Sequence, residues 1–223
     1  MPGYFLGGSL APIGLSVSFL ATPIDAVLDH LVAWRSGLGQ QCERSDQGAF
    51  PGCASALDPL EAPWTTELLL DCGTWTAYLN NGIDGGDPTA AAPYLSKALG
   101  VRCAVAMHAP RYSPGHASTQ LWLLGPEGEP PLMYERTLAA DAVDGRWSWD
   151  ESGTVQPFEH LSRYTARRVR DRFDRPLLIE YLAALGIRAD DAGFYGAGIS
   201  LHQHVTRPTR RETSQQVRRR FGW

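Results

Sequence analysis

Lysine is almost missing from this chain: Lys97 is the one lysine among 20 basic residues in 223. No guanidinium-specific chemistry is read from the bias. Phosphate cradles are missing too, because the glycine-rich stretch Gly82 to Asp87 carries neither a Walker lysine nor a dinucleotide fingerprint. No run of about eighteen uncharged apolar residues occurs, so no membrane span is expected. The segment Leu6 to Leu20 is apolar, but no basic residue precedes it and Gly7, Gly8, Pro12 and Gly14 break it. A signal peptide is therefore not expected. Cysteine is sparse: Cys42, Cys53, Cys72 and Cys103 form no C-x-x-C pair and have no nearby ligand histidine. That pattern argues against zinc and against a dense disulfide framework. The four read as reduced thiols of a cytoplasmic protein, with a Cys42–Cys53 bridge left open. Internal repeats, sustained heptads and a nucleophile elbow are lacking as well.

What is present is enough hydrophobic residue, 43% of the chain, for one sizeable core. The net charge of −4 conceals a division. Residues 1–156 hold 7 basic against 17 acidic side chains, and residues 157–223 hold 13 against 7. Acidic and basic partners both suit such a molecule, as does mutual neutralisation of the two halves. Gly14 to Leu20 reads as an edge strand, and Ile24, Val27, Leu28, Leu31 and Trp34 recur at helical spacing behind Thr22-Pro23. Gln40 to Pro63 reads as a long connection with a helical turn near Cys53 to Leu57. Glu67 to Cys72 and Trp75 to Leu79 should pair as a hairpin, followed by a helix opened by Asp87-Pro88 and stopped at Gly100. Val101 to Met107, Thr119 to Leu124, Pro131 to Thr137 and Arg146 to Trp149 continue as a meander, with a turn at Pro126 to Pro130.

Phe158 to Phe173 and Leu177 to Leu185 are spaced as two helices, a C-terminal helical hairpin, before a short strand at Ile199 to Val205 and an arginine-rich tail. The expected fold is therefore α+β: a mixed, largely antiparallel sheet with packed helices over residues 1–156. Residues 157–223 form a helical and basic segment packed on that sheet as one unit.

Candidate surfaces follow from side chains at strand ends. Asn80, Asn81, Asp84 and Asp87 gather after a strand, where a partner can reach them. Turn formation and helix capping explain the same residues without any ligand, and EF-hand spacing is lacking. Trp147 and Trp149 share one side of a strand and make an interface anchor if that side is open, or core if it is covered. His202 and His204 also share a side, the spacing of a metal chelate whose third ligand the sequence does not identify. His108 and His116 are acid–base candidates beside Tyr112. The arginines of the last third are the phosphate-binding candidates, although Glu159, Asp171, Asp174 and Glu180 interleave with them.

Two phrases carry a resemblance: Trp75 to Asn81 (WTAYLNN) with Gly86-Asp-Pro88, and Pro157 to Phe173 in the pattern PFExLxxYxARRxxDRF. They resemble small bacterial proteins of the immunity type, and the likeness extends over about half of the chain. It implies a cytoplasmic α+β domain that binds and blocks a cognate toxin without a cofactor. The leading expectation is accordingly a non-enzymatic binding protein that presents Asn80 to Asp87 to a protein partner. A histidine- and carboxylate-dependent hydrolase or transferase, and a nucleic-acid-associated protein using the C-terminal arginines, are the competing classes.

Overall fold

The computed structural model describes residues 5–83, 88–113, 115–131, 133–205 and 208–222. Its first half runs β1 (Ser16–Leu20), α1 (Ile24–Gly37), β2 (Gln41–Ala49), β3 (Leu60–Ala62), β4 (Thr66–Cys72), β5 (Trp75–Asn80) and α2 (Pro88–Leu99). The meander β6 (Cys103–Ser113), β7 (His116–Glu129), β8 (Tyr134–Val143) and β9 (Arg146–Gly153) follows. The chain closes with α3 (Arg175–Ala184), β10 (Ala197–His204), β11 (Arg210–Glu212) and α4 (Ser214–Phe221). Nine strands form one sheet in the order β2-β10-β4-β5-β1-β6-β7-β8-β9, and β3 pairs with β11 apart from it. Every neighbouring pair in the large sheet is antiparallel.

Local chemistry sets the turns. Asp144 and Gly145, both at positive φ (50° and 76°), join β8 to β9, the dipeptide that a tight hairpin prefers because both central residues must be left-handed. Gly73, at φ 73°, turns β4 into β5, and the Asp71 carboxylate accepts its N–H at 2.9 Å. Strands β1 and β5 are buried at every position although Ser16, Ser18, Thr76 and Asn80 interrupt their apolar residues, and β1, expected at an edge, lies inside the sheet between β5 and β6.

Each face of the sheet has its own cover. Over one face lie α1 and α2, whose Val27, Leu28, Leu31, Ala91 and Leu95 pack on Leu69, Tyr78 and Val105. Lys97, near the end of α2, points into solvent. Over the other face lie α3, α4 and several 3₁₀ turns, whose Leu57, Phe173, Leu178, Tyr181 and Val217 pack on Leu68, Leu70, Ala77 and Leu121. Gly198 in β10 passes beneath a turn so closely that a Cβ there would lie 3.1 Å from Leu68 and 3.4 Å from Cys53.

Two buried ion pairs tie this cover down. From α1, the Arg35 Nη2 donates to Glu67 Oε1 of β4 at 2.8 Å. Tyr78 O–H donates to the same oxygen at 2.9 Å, and Trp34 and Trp64 sandwich the guanidinium at 4.2 and 4.9 Å. From β8, Arg136 grips Glu159 with two bonds of 2.9 and 2.7 Å and reaches Glu151 of β9 at 2.7 Å. Tyr164 O–H completes this second site by donating to Glu159 Oε2. Charges removed from water in this way persist because they are paired, although Arg35 Nε is left buried without an acceptor.

The expected α+β class is overturned. Strand accounts for 40% and helix for 31%, so the molecule is largely a β protein built on one broad antiparallel sheet. No C-terminal helical hairpin forms. Residues 158–173 contain only the 3₁₀ turns Leu161–Thr165 and Val169–Asp171, and α3 is the one α-helix of that pair. The reason lies in its backbone bonds: His160 N–H donates to Tyr181 Oη, Gln156 N–H to Glu159 Oε1, and the Ala166 carbonyl accepts from Arg172. Of these, the Ala166 carbonyl is a group that a helical ladder over 158–173 would use, whereas the two N–H groups, in or before the first turn, are held by acceptors that fix the path of the chain across the sheet. Likewise, the long connection expected at 40–63 contains edge strand β2, whose polar residues show no alternation because both of its faces are largely exposed. The four cysteines are free.

The Arg35–Glu67 pair generates a stability prediction. Arg35→Ala should cost about 3–5 kcal/mol in urea unfolding, since it strands a buried carboxylate. Adding Glu67→Gln should recover part of that loss. Equal stability of the single and double variants would show that the charge is not what matters.

Candidate functional surfaces

Asn80 and Asn81 are consumed by the fold. Each is only 2% exposed. Asn81 Oδ1 accepts the N–H groups of Thr65 and Thr66, both at 2.8 Å, and its Nδ2 donates to the Pro59 carbonyl at 3.0 Å. Asn80 Oδ1 accepts Gly82 N–H at 3.1 Å. Asn81 stitches the end of β5 to the approach of β4 while Asn80 holds the turn that follows its own strand, so the expected exposed polar loop is not found at these positions. Asp84 and Asp87 lie outside the described residues.

Trp147 and Trp149 have separate fates on β9. The Trp149 ring packs on Tyr164 at 4.9 Å and on Phe173 at 6.4 Å, joining the core beneath residues 161–173. Trp147 stays 38% exposed. With Arg168, Val169 and Arg170 it lines an open groove of about 420 Å³. The same 3₁₀ turn that was expected to be helical thus supplies one wall of this groove. No signal in the sequence placed Val169 opposite Trp147, since their meeting depends on the Arg136–Glu159 tie.

The histidines are dispersed among unrelated partners. His202 Nδ1 lies 3.0 Å from Thr66 Oγ1, and His204 Nε2 lies 3.7 Å from Glu43, which reaches across from β2. Their rings are 5.5 Å apart and nearly perpendicular. Among the described residues no group of three or more His, Cys, Asp or Glu converges as a metal site. His116 approaches Asp144 at 3.9 Å. His108 is held by Thr119 Oγ1 at 2.9 Å, and burial, with the positive charge of Arg175, lowers its pKa from 6.5 to about 4. Asp174 opposes that shift weakly. A neutral imidazole so enclosed is a core acceptor or donor rather than a proton shuttle open to solvent.

The thiols are equally quiet. Burial raises Cys72 to about 12 and pushes Cys42, Cys53 and Cys103 upward as well, so none is an activated nucleophile. Tyr164 and Tyr78 are raised by burial first, then by the groups that hold them: the Tyr181 hydroxyl and the Glu159 carboxylate for Tyr164, the Glu67 carboxylate for Tyr78. Among the described residues no helix is long and apolar enough to cross a membrane. No known protein family, curated protein or solved structure matches the chain.

These placements yield two expectations. Asn81→Ala should cost on the order of 2–3 kcal/mol, since it strands two buried N–H groups, whereas Trp147→Ala should stay within about 1 kcal/mol of the parent, both by urea unfolding. Because His108 titrates lower in the folded state than in the unfolded chain, the unfolded state takes up the proton first as pH falls. Its contribution is therefore complete above pH 6.5 and declines between 6.5 and about 4. A His108→Gln variant should lose that decline, and an unchanged stability–pH profile would count against it.

Proposed function

We propose that the protein is a non-enzymatic binding protein of the toxin-neutralising immunity type, which meets a protein partner at the Trp147 groove and acts by occlusion in the cytoplasm. The observation that carries the reading is the contrast on β9: Trp149 is half-buried against the core while Trp147, two residues away on the same side, stays exposed beside Arg168 and Arg170. Tryptophan and arginine are the residues most enriched where binding energy concentrates. β9 is also the outermost strand of the sheet, so an extended segment can lie along it while an apolar side chain meets the ring.

Charge selects the occupant. Arg168 has no carboxylate within ion-pair distance among the described residues, and Arg170 has only its neighbour Asp171 at 3.8 Å. The groove therefore suits an acidic segment carrying an apolar anchor. This reading moves the interface away from Asn80 and Asn81. The hydrolase or transferase alternative gains nothing from the geometry, because His108, His116 and the His202–His204 pair are bonded to different partners.

The test is co-purification with the product encoded beside it, followed by titration calorimetry on folded variants. Trp147→Ala should weaken the complex by at least about 2 kcal/mol, roughly thirtyfold, and Arg168→Glu combined with Arg170→Glu by a similar factor. Unchanged affinity in both would remove the groove from the interface. Steeply salt-dependent binding of single-stranded nucleic acid, lost in the same variants, would instead assign the groove to bases and phosphates.

A further inference from the structure

A second concavity lies on the α3 side of the sheet, where the chain's first described residues cross the start of α3. It has a volume of about 160 Å³ and is lined by Phe5, Phe50, Arg175, Asp190, Tyr195 and adjoining small residues. Phe50 and Tyr195 stand with ring centroids 4.8 Å apart, giving it an aromatic wall. Its hydrogen-bonding potential is concentrated in one group. Tyr195 O–H is spent on the Ala189 carbonyl at 2.9 Å. Arg175 donates from Nη2 to the Phe5 carbonyl at 3.2 Å, but its Nε is buried without an acceptor, and the guanidinium has no ion-pair partner among the described residues.

A half-buried guanidinium with a single neutral acceptor is under-satisfied, since Arg carries five N–H donors in a fork that fits a carboxylate. Asp190, exposed and on the cavity lining, places a negative charge at the same cavity without closing on Arg175. That carboxylate opposes any anion, and a doubly charged one such as phosphate about twice as strongly as a singly charged one. What remains is a singly charged acid with a flat apolar body.

We propose that this cavity binds a small organic monocarboxylate, its carboxylate on Arg175 and its body against the half-buried Phe50 and the edge of Tyr195. The site is separate from the Trp147 groove and does not depend on that reading. Arg175 also bears on His108, so a bound anion cancels part of the positive charge that the imidazole senses.

Benzoate is the probe. The full chain should bind it saturably, with a dissociation constant on the order of 1 mM for so small a ligand. Neutral benzamide and inorganic phosphate should bind at least about tenfold more weakly, and Arg175→Gln should cost a similar factor. Should Arg175→Gln fail to fold, Ala192→Phe, a change at an exposed lining residue, should block the cavity and abolish binding without disturbing the core. In an NMR titration the His108 imidazole pKa should rise on saturation with benzoate. Absence of saturable benzoate binding to the parent chain, equal binding of phosphate, or unchanged benzoate affinity in the folded variants would overturn the proposal.

Discussion

The forked bond between Arg136 and Glu159 decides the shape of the outer half of this molecule. Arg136 belongs to β8 and Glu159 to the segment that follows β9, and both are almost wholly withdrawn from water. Desolvating two charges is costly, and the cost is offset because the geometry is bidentate and because Glu151 and Tyr164 take up remaining valences. The consequence is positional. With Glu159 pinned to β8, residues 161–173 must lie across β8 and β9, which covers Trp149 and sets Val169 against Trp147. The groove assigned to partner binding is a by-product of an internal ion pair.

Much of the sheet was legible from residue pattern. The β4–β5 hairpin and the run from β6 to β9 announced themselves through apolar runs separated by glycine, aspartate and proline. Where the reading failed, the physics was non-local. Residues 158–173 have helical spacing of Phe158, Leu161, Tyr164 and Val169, yet Arg136 and Tyr181 capture a side chain and a backbone group from outside the segment, while Arg172 folds back on the Ala166 carbonyl within it. Strand β2 failed for the opposite reason: at the margin of a sheet it has no buried face to imprint an alternation. β10 was visible as a strand, but nothing in its sequence told that it would return to lie between β2 and β4.

The candidate sites show the same division. Asn80 and Asn81 carried a signal that was real but ambiguous, because an asparagine that clamps two amide groups and one that greets a partner look alike in a string of letters. Only the bonds to Thr65, Thr66 and Pro59 separate them. The tryptophan pair was recognisable as one side of a strand, and the depth of each ring depended on chain twelve or more residues downstream. Arg175 left no trace at all in the sequence reading, since its under-satisfied fork becomes visible only when Phe5 and Tyr195 are brought beside it.

The scarcity of lysine acquires a practical meaning once α2 is placed. Lys97 carries the only side-chain amine and projects from the helix that shields one face, whereas Trp147 shares a side of β9 with Trp149, which packs on the cluster of the reverse face. A fluorophore or surface tether attached at Lys97 would therefore hold the molecule by its back, leaving the tryptophan side turned outward in the copies attached there.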